Sequence, residues 1–200
     1  MTFLLSEDEA LRKQLQGITV NDQRSNGDAA PRQVGVFFGQ PDQELRTQNY
    51  PYITIDMIDI QRDAQREMRG RITGDVNQFG YLGPTETSDY GWDIELPIPV
   101  NIDYQITAYS RQPRHDRELL AQLLYQKLPL RFGQLTLNDN TVRRIEVLDV
   151  AKRDNTEQAK RLFINAVTVR VTSEIAQEAY REYYKVSNLN LPEPTVTNNH

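Results

Sequence analysis

The sequence predicts an α+β domain: a mostly antiparallel sheet with one main helix packed on one face, plus a long loop and terminal arms. Two segments carry this expectation. In residues 98–109, Val100, Ile102, Tyr104, Ile106 and Ala108 alternate with Asn101, Asp103, Gln105, Thr107 and Tyr109. An unbroken period of two puts one face of a strand in a core and the other toward water. Residues 114–128 then place Leu119, Leu120, Leu123, Leu124 and Leu128 on one stripe at helical spacing. A third observation is the order of elements (strand, long loop, strand, helix, strand, strand), which suits a sheet with a helix laid on one side.

From the N-terminus, residues 6–17 read as a short helix. Ser6 and Glu9 have capping-box spacing, Leu11 and Leu15 share a face, and Gly17 supplies a left-handed stop. Its apolar stripe is thin, so it is expected to dock on something larger. Residues 19–33 are rich in Asn, Asp, Ser, Gly, Ala and Pro and read as loop or linker. Residues 34–38 read as a strand. So do residues 52–60, where Ile53, Ile55 and Met57 occupy one face and Ile58 and Ile60 the other. Such a switch implies a β-bulge or a strand buried on both sides. Residues 62–71 are charged with few apolar anchors, and either continue the strand into a hairpin or form a helical turn.

Residues 74–92 are polar and glycine-rich, with Pro84 inside, and read as a mobile surface loop. Pro97 and Pro99 stand only at the start of the alternating strand, where proline is tolerated. Asp116 places negative charge in the first turn of the leucine helix, and Pro129 ends it. Residues 133–141 form a hairpin-like passage turning at Asn138-Asp139-Asn140. Residues 144–150 and 162–172 are strands, with Asp154-Asn155-Thr156 a turn between them. Beyond Ser173, Ala176, Ala179, Tyr180 and Tyr183 fit a helical stripe, while 183–191 fit an extended arm equally well. The organisation expected is therefore an N-terminal helix and arm (1–48), a core domain (49–175) with its loop at 74–92, and a C-terminal extension (176–200).

Composition narrows the function classes. The chain has 200 residues, 38% of them hydrophobic, a net charge of −5 and no cysteine. One core plus arms fits that length. Absence of cysteine excludes disulfides, thiolate metal sites and cysteine nucleophiles. Net acidity without a basic run argues against nucleic acid as a tight ligand. Met1-Thr2-Phe3-Leu4-Leu5 runs directly into Ser6-Glu7-Asp8-Glu9, too short and acidic for a signal peptide, and no apolar run matches a membrane span.

Catalytic and metal motifs are weak. There are two histidines. His115, among Arg114, Asp116 and Arg117, reads as a solvated residue at a helix start, and His200 is terminal. Asp56, Asp59 and Asp63, and the group Glu86, Asp89, Asp93 and Glu95, read as charged outer positions; a hydrolase built on Asp56, Asp59 and His115 is the weakest alternative. Asp75, Asn77, Gly80 and Glu86 fall at positions 1, 3, 6 and 12 of a calcium loop. Phe79 occupies a ligand position, however, and Pro84 interrupts the loop. Neither a phosphate-binding glycine motif nor a nucleophile elbow is present. No catalytic residue, metal or cofactor is expected, and the chain reads as a non-enzyme. The aromatic residues Phe79, Tyr81, Tyr90 and Trp92 could stack on a base or sugar, or anchor a protein interface. The acidic charge favours the interface, together with Tyr183 and Tyr184.

The stretch from about 96 to 175 resembles the tail terminator (tail completion, neck) proteins of long-tailed bacteriophages. The resemblance lies in an ordered pattern: the amphipathic strand 97–110, the helix 114–129 ended by proline, the strand 144–150 and the strand 160–171. It covers about two fifths of the chain and includes no invariant motif. It implies a structural virion protein, a mixed α/β subunit of a hexameric ring that caps the tail tube, stops its growth and joins it to the head connector. Its partners would be copies of itself, the tail tube protein, head connector or neck proteins, and also the sheath. DNA would pass through unbound, since an acidic subunit repels phosphate. The protein would be assembled in the host cytoplasm, with no membrane involved. Another neck, head-closure or sheath-associated subunit is the alternative within that class. From a different class, the alternative is a calcium- or carbohydrate-binding module using the loop 74–92.

Overall fold

In the computed structural model, the described residues are 3–23, 29–39, 50–68, 70–74, 90–157, 160–175 and 180–184. The chain divides into two units: residues 1–67 with 98–175, and residues 68–97 with 176–200.

The first unit is built around its most strongly patterned strand, β7 (Ile98–Ser110). Together with β3 (Gly35–Phe38), β4 (Tyr52–Arg62), β8 (Gly133–Thr136), β9 (Val142–Lys152), β10 (Asn155–Glu157) and β11 (Lys160–Ile175) it forms a seven-stranded sheet. The order is β3-β4-β7-β11-β9-β8, with β10 also on β11. All pairs are antiparallel except β3 with β4, which is parallel. The α+β expectation therefore holds.

The core lies on one face of this sheet. Ile102, Tyr104, Ile106 and Ala108 of β7 are buried with Val167, Val169 and Val171 of β11, Ile53 and Ile55 of β4 and Ile145 of β9. Helix α2 (Pro113–Gln122) covers them with Leu119 and runs into a π-helical turn, Leu123–Lys127. That turn closes with the Leu128 amide bonded to the Leu123 carbonyl, 2.6 Å. Leu128 is buried in the same core as Leu119 and Leu123. Pro129 then bars continuation.

Helix α1 (Leu5–Leu15) begins one residue earlier than its composition suggests. The cap is made by Glu7 rather than by Ser6 and Glu9: the Glu7 carboxylate accepts from the Leu4 amide at 3.0 Å and from Ser6 Oγ at 2.9 Å. Glu7 is itself buried and accepts from Ser173 Oγ on β11. Leu11 and Leu15 enter the main core, and Gly17 follows with φ +81, the left-handed conformation open to glycine.

Residues 19–33, expected as linker, contain an antiparallel hairpin, β1 (Thr19–Gln23) with β2 (Ala29–Gln33). Tertiary contact overrides the weak local propensity here. Val20 is buried, and the outer edge of β1 is capped by side chains of α2. The Gln122 amide bonds both backbone groups of Thr19, and Glu118 accepts from the Asn21 amide. Ile18, Val20, Val34 and Val36 join α1 in the core of the main sheet.

The second unit contains a three-stranded antiparallel sheet in the order β12-β6-β5, made from β5 (Arg71–Gly74), β6 (Tyr90–Glu95) and β12 (Tyr180–Tyr184). The ends of the presumed 74–92 loop are therefore strand, and residues 75–89 lie outside the described residues. Tyr180 to Tyr184 is extended, which settles that part of the C-terminal segment against a helix. The expected turn at 154–156 is mostly the short strand β10. Residues 63–67 make a turn closed by Asp63, as described below.

Candidate interaction surface

The buried polar groups of the first unit act as ties between elements. Asp116, in the first turn of α2, accepts from Asn165 Nδ2 of β11 at 2.5 Å and from Lys152 Nζ of β9 at 2.8 Å. His115 is 2% exposed, with Nε2 3.1 Å from Asp22 Oδ1. It is not the solvated residue its neighbours implied, because the β1–β2 hairpin closes over the start of α2. Its carboxylate partner is Asp22, and Asp56 and Asp59 stand apart on β4, Asp59 exposed. The Tyr104 hydroxyl donates to Asp8 Oδ1 at 2.8 Å, joining β7 to α1. Burial raises the Asp8 carboxyl above the usual carboxylate range, and the Tyr104 bond opposes that rise. Burial likewise pushes the Tyr104 phenol up.

Asp63 closes the turn after β4. It accepts from the Gln65 and Arg66 amides and from Arg66 Nε at 2.7 Å. The Arg66 guanidinium holds its carboxyl down at about 2. On the face opposite the core, Asp103 and Arg170 sit across β7 and β11 in register and form two bonds of 2.8 Å. Tyr52 stacks on Tyr109 there with ring centroids 4.9 Å apart.

The sheet is finished in its middle and unfinished at both sides. β3 covers β4 only from Tyr52 to Ile55, leaving 56–62 without a strand on its outer side among the described residues. β8 covers β9 only from Val142 to Ile145, leaving 146–152 in the same condition. Each open stretch has a bulge. The β4 register skips Ile58, between Met57 opposite Tyr104 and Asp59 opposite Asp103. The β9 register skips Leu148, between Val147 opposite Val169 and Asp149 opposite Thr168. Ile58 is 54% exposed and Leu148 45%.

Two apolar rows run across the sheet to these sides. One is Phe38–Ile55–Ile106–Val167–Val150. Its three inner members are buried, while Phe38 is 41% and Val150 39% exposed. The other is Ile60–Ile102–Val171–Ile145–Gly133. Gly133 is required at its end, since a Cβ there would meet the Ile145 carbonyl oxygen at 2.6 Å. Ile60, at the other end, is 38% exposed.

Of the aromatic residues singled out from sequence, Phe79 and Tyr81 lie outside the described residues, as does the calcium-like spacing 75–86. Tyr90, Trp92, Tyr183 and Tyr184 fall on neighbouring strands: Tyr90 opposite Tyr184, Trp92 opposite Glu182, and Tyr183 opposite Gly91. Sequence reading missed Phe38, Leu148 and Val150 as surface groups. The face switch at Met57-Ile58-Ile60 was the available signal, and its bulge reading is the one the structure bears out. Among the described residues, no three His, Asp or Glu side chains are grouped to hold a metal, and no helix is long and apolar enough to cross a membrane.

No protein-family model matches this chain, and no curated protein matches it. Solved structures do. One is the sheath/tube terminator, in its extended state, of an extracellular contractile injection system, PVC. It has 16% identity and a TM-score of 0.47, over 98% of this chain and 66% of that one. Another is the tube terminating cap of the anti-feeding prophage, with 17% identity and a TM-score of 0.48, over 96% of this chain and 62% of that one. This chain therefore spans just under two thirds of the length of either. Both are named for terminating a tube.

Proposed function

We propose that this chain is a structural subunit that terminates a phage-type tail tube, assembling as a six-membered ring on the last tube layer and performing no catalysis. The observation that carries the reading is the ordered pattern of residues 97–171. It corresponds in the fold to β7, α2, β9 and β11, the elements around which the core is built. The two open sides of the main sheet support it, because a ring of identical subunits needs two different contact surfaces on each.

Its partners are copies of itself, the tube protein, the neck or head connector, and the sheath where one is present. Its place is the virion or tail-like particle, with DNA passing through the ring unbound. The sheet carrying Tyr90, Trp92, Tyr183 and Tyr184 is assigned to contacts with neighbours or tube, together with Phe79 and Tyr81. The domain organisation that goes with this reading is one core unit and one smaller unit carrying these aromatic positions.

Deletion of the gene tests the role. The reading expects tubes of uncontrolled length in electron micrographs of lysates. Tails of normal length that fail to join heads would contradict it and favour a connector subunit instead.

A further inference from the structure

We propose that neighbouring copies join edge to edge through the main sheet, each contributing half of one shared strand position. The inference rests on the ring reading and specifies how the ring is closed.

The outline of the sheet carries the argument. β3 projects beyond β4 on one side, at the end of the sheet where Ile55, Ile106, Val167 and Val150 stand in one row. β8 projects beyond β9 on the opposite side, at the other end, where Ile60, Ile102, Val171 and Ile145 stand in one row. Each projection is four residues long, and each lies diagonally across from the recess on its own side. A second copy placed alongside, level with the first, therefore receives β8 in its β4 recess and inserts its β3 into the β9 recess of the first. The two steps are complementary without rotation of the outline, which is a head-to-tail contact.

Strand direction agrees. β3, β4, β11 and β8 run one way and β7 and β9 the other. The β3 of one copy and the β8 of the next would share a column and point the same way. That column is antiparallel to β9 and parallel to β4 along its whole length, so hydrogen bonding to unpaired backbone is consistent in both halves.

The apolar rows agree as well. Val150 of one copy meets Phe38 of the next, continuing one row from core to core. Gly133 meets Ile60, continuing the other. Between the two half-strands lie the three rows of Asp103, Tyr104 and Gln105 of β7, about 10 Å of open column at the usual rise of a strand. The exposed bulge residues Ile58 and Leu148 border that opening, one from each copy, and supply its apolar filling. Exposed apolar side chains on open strand edges are otherwise an aggregation hazard that proteins avoid; here each has a defined counterpart.

The chain has no cysteine, so an engineered pair reports without background. Directly opposed residues of antiparallel strands have Cα atoms about 4.5–5.5 Å apart, within disulfide reach. The double variant Phe38→Cys, Val150→Cys is therefore expected to oxidise into a covalent ladder ending at the closed ring, while either single variant gives no cross-linked species. Val150→Lys alone is expected to stay monomeric with an unchanged circular dichroism spectrum. Wild-type rings without a ladder in the double variant, disulfide dimers from a single variant, or rings that persist in Val150→Lys would overturn the shared-strand contact and leave the ring itself standing. A wild-type chain that never assembles would instead remove the ring, and this contact with it.

Discussion

The middle and the sides of the main sheet are made from similar residues and treated in opposite ways. β7 and β11 pair on both sides along nearly their whole length, and their apolar face is sealed by α1, α2 and the π-helical turn. β4 and β9 are 11 residues long, yet among the described residues each is paired on its outer side for only four, bulges once and leaves apolar side chains in solvent. The difference separates stability from assembly. The middle supplies the burial that folds the chain, and the sides hold surface that folding does not use.

Substitutions should fall on one side or the other of that division. Ile106→Ala, at the centre of the buried row, removes a fully covered side chain and leaves a cavity; a loss of about 2–5 kcal/mol is expected in denaturant unfolding. Asp116→Ala releases the tie between α2 and the two strands beneath it. It leaves Asn165 without its partner inside the fold, and a cost of about 2–3 kcal/mol is expected. Tyr104→Phe deletes only the bond to Asp8, costing about 1 kcal/mol, and would show that α1 belongs to the core rather than to an arm. At the edges, Ile58→Ser and Leu148→Ser should change the unfolding free energy of the monomer by less than about 0.5 kcal/mol while weakening self-association. A large stability loss at Ile58 or Leu148, or a negligible one at Ile106, would break the comparison.

How much of this was legible in the sequence follows the same division. Where burial imposes a period, as in β7 and along the α2 leucines, residue type alone identifies the element. The hairpin β1–β2 does not stand out from the residues 19–33, because its strands are held less by their own propensity than by Gln122 and Glu118, about a hundred positions away. His115 looked solvated for the same reason: Asp22, which covers it, is remote in sequence. The open edges were half legible. The switch of apolar faces at Met57-Ile58-Ile60 marked a bulge, but the four-residue extents of β3 and β8 are set by pairing register, which periodicity does not encode. The aromatic positions Tyr90, Trp92, Tyr183 and Tyr184 stand out by residue type alone, and only the register of β6 and β12 brings them to one small sheet.

The most direct test of the central claim is the mass of the wild-type protein in solution, by size exclusion with light scattering, with negative-stain images of the main peak. The account predicts a six-fold ring with a mass six times the 23.2 kDa of one chain. A monomer at every concentration, or a two-fold symmetric dimer joined through one self-complementary patch, would contradict it.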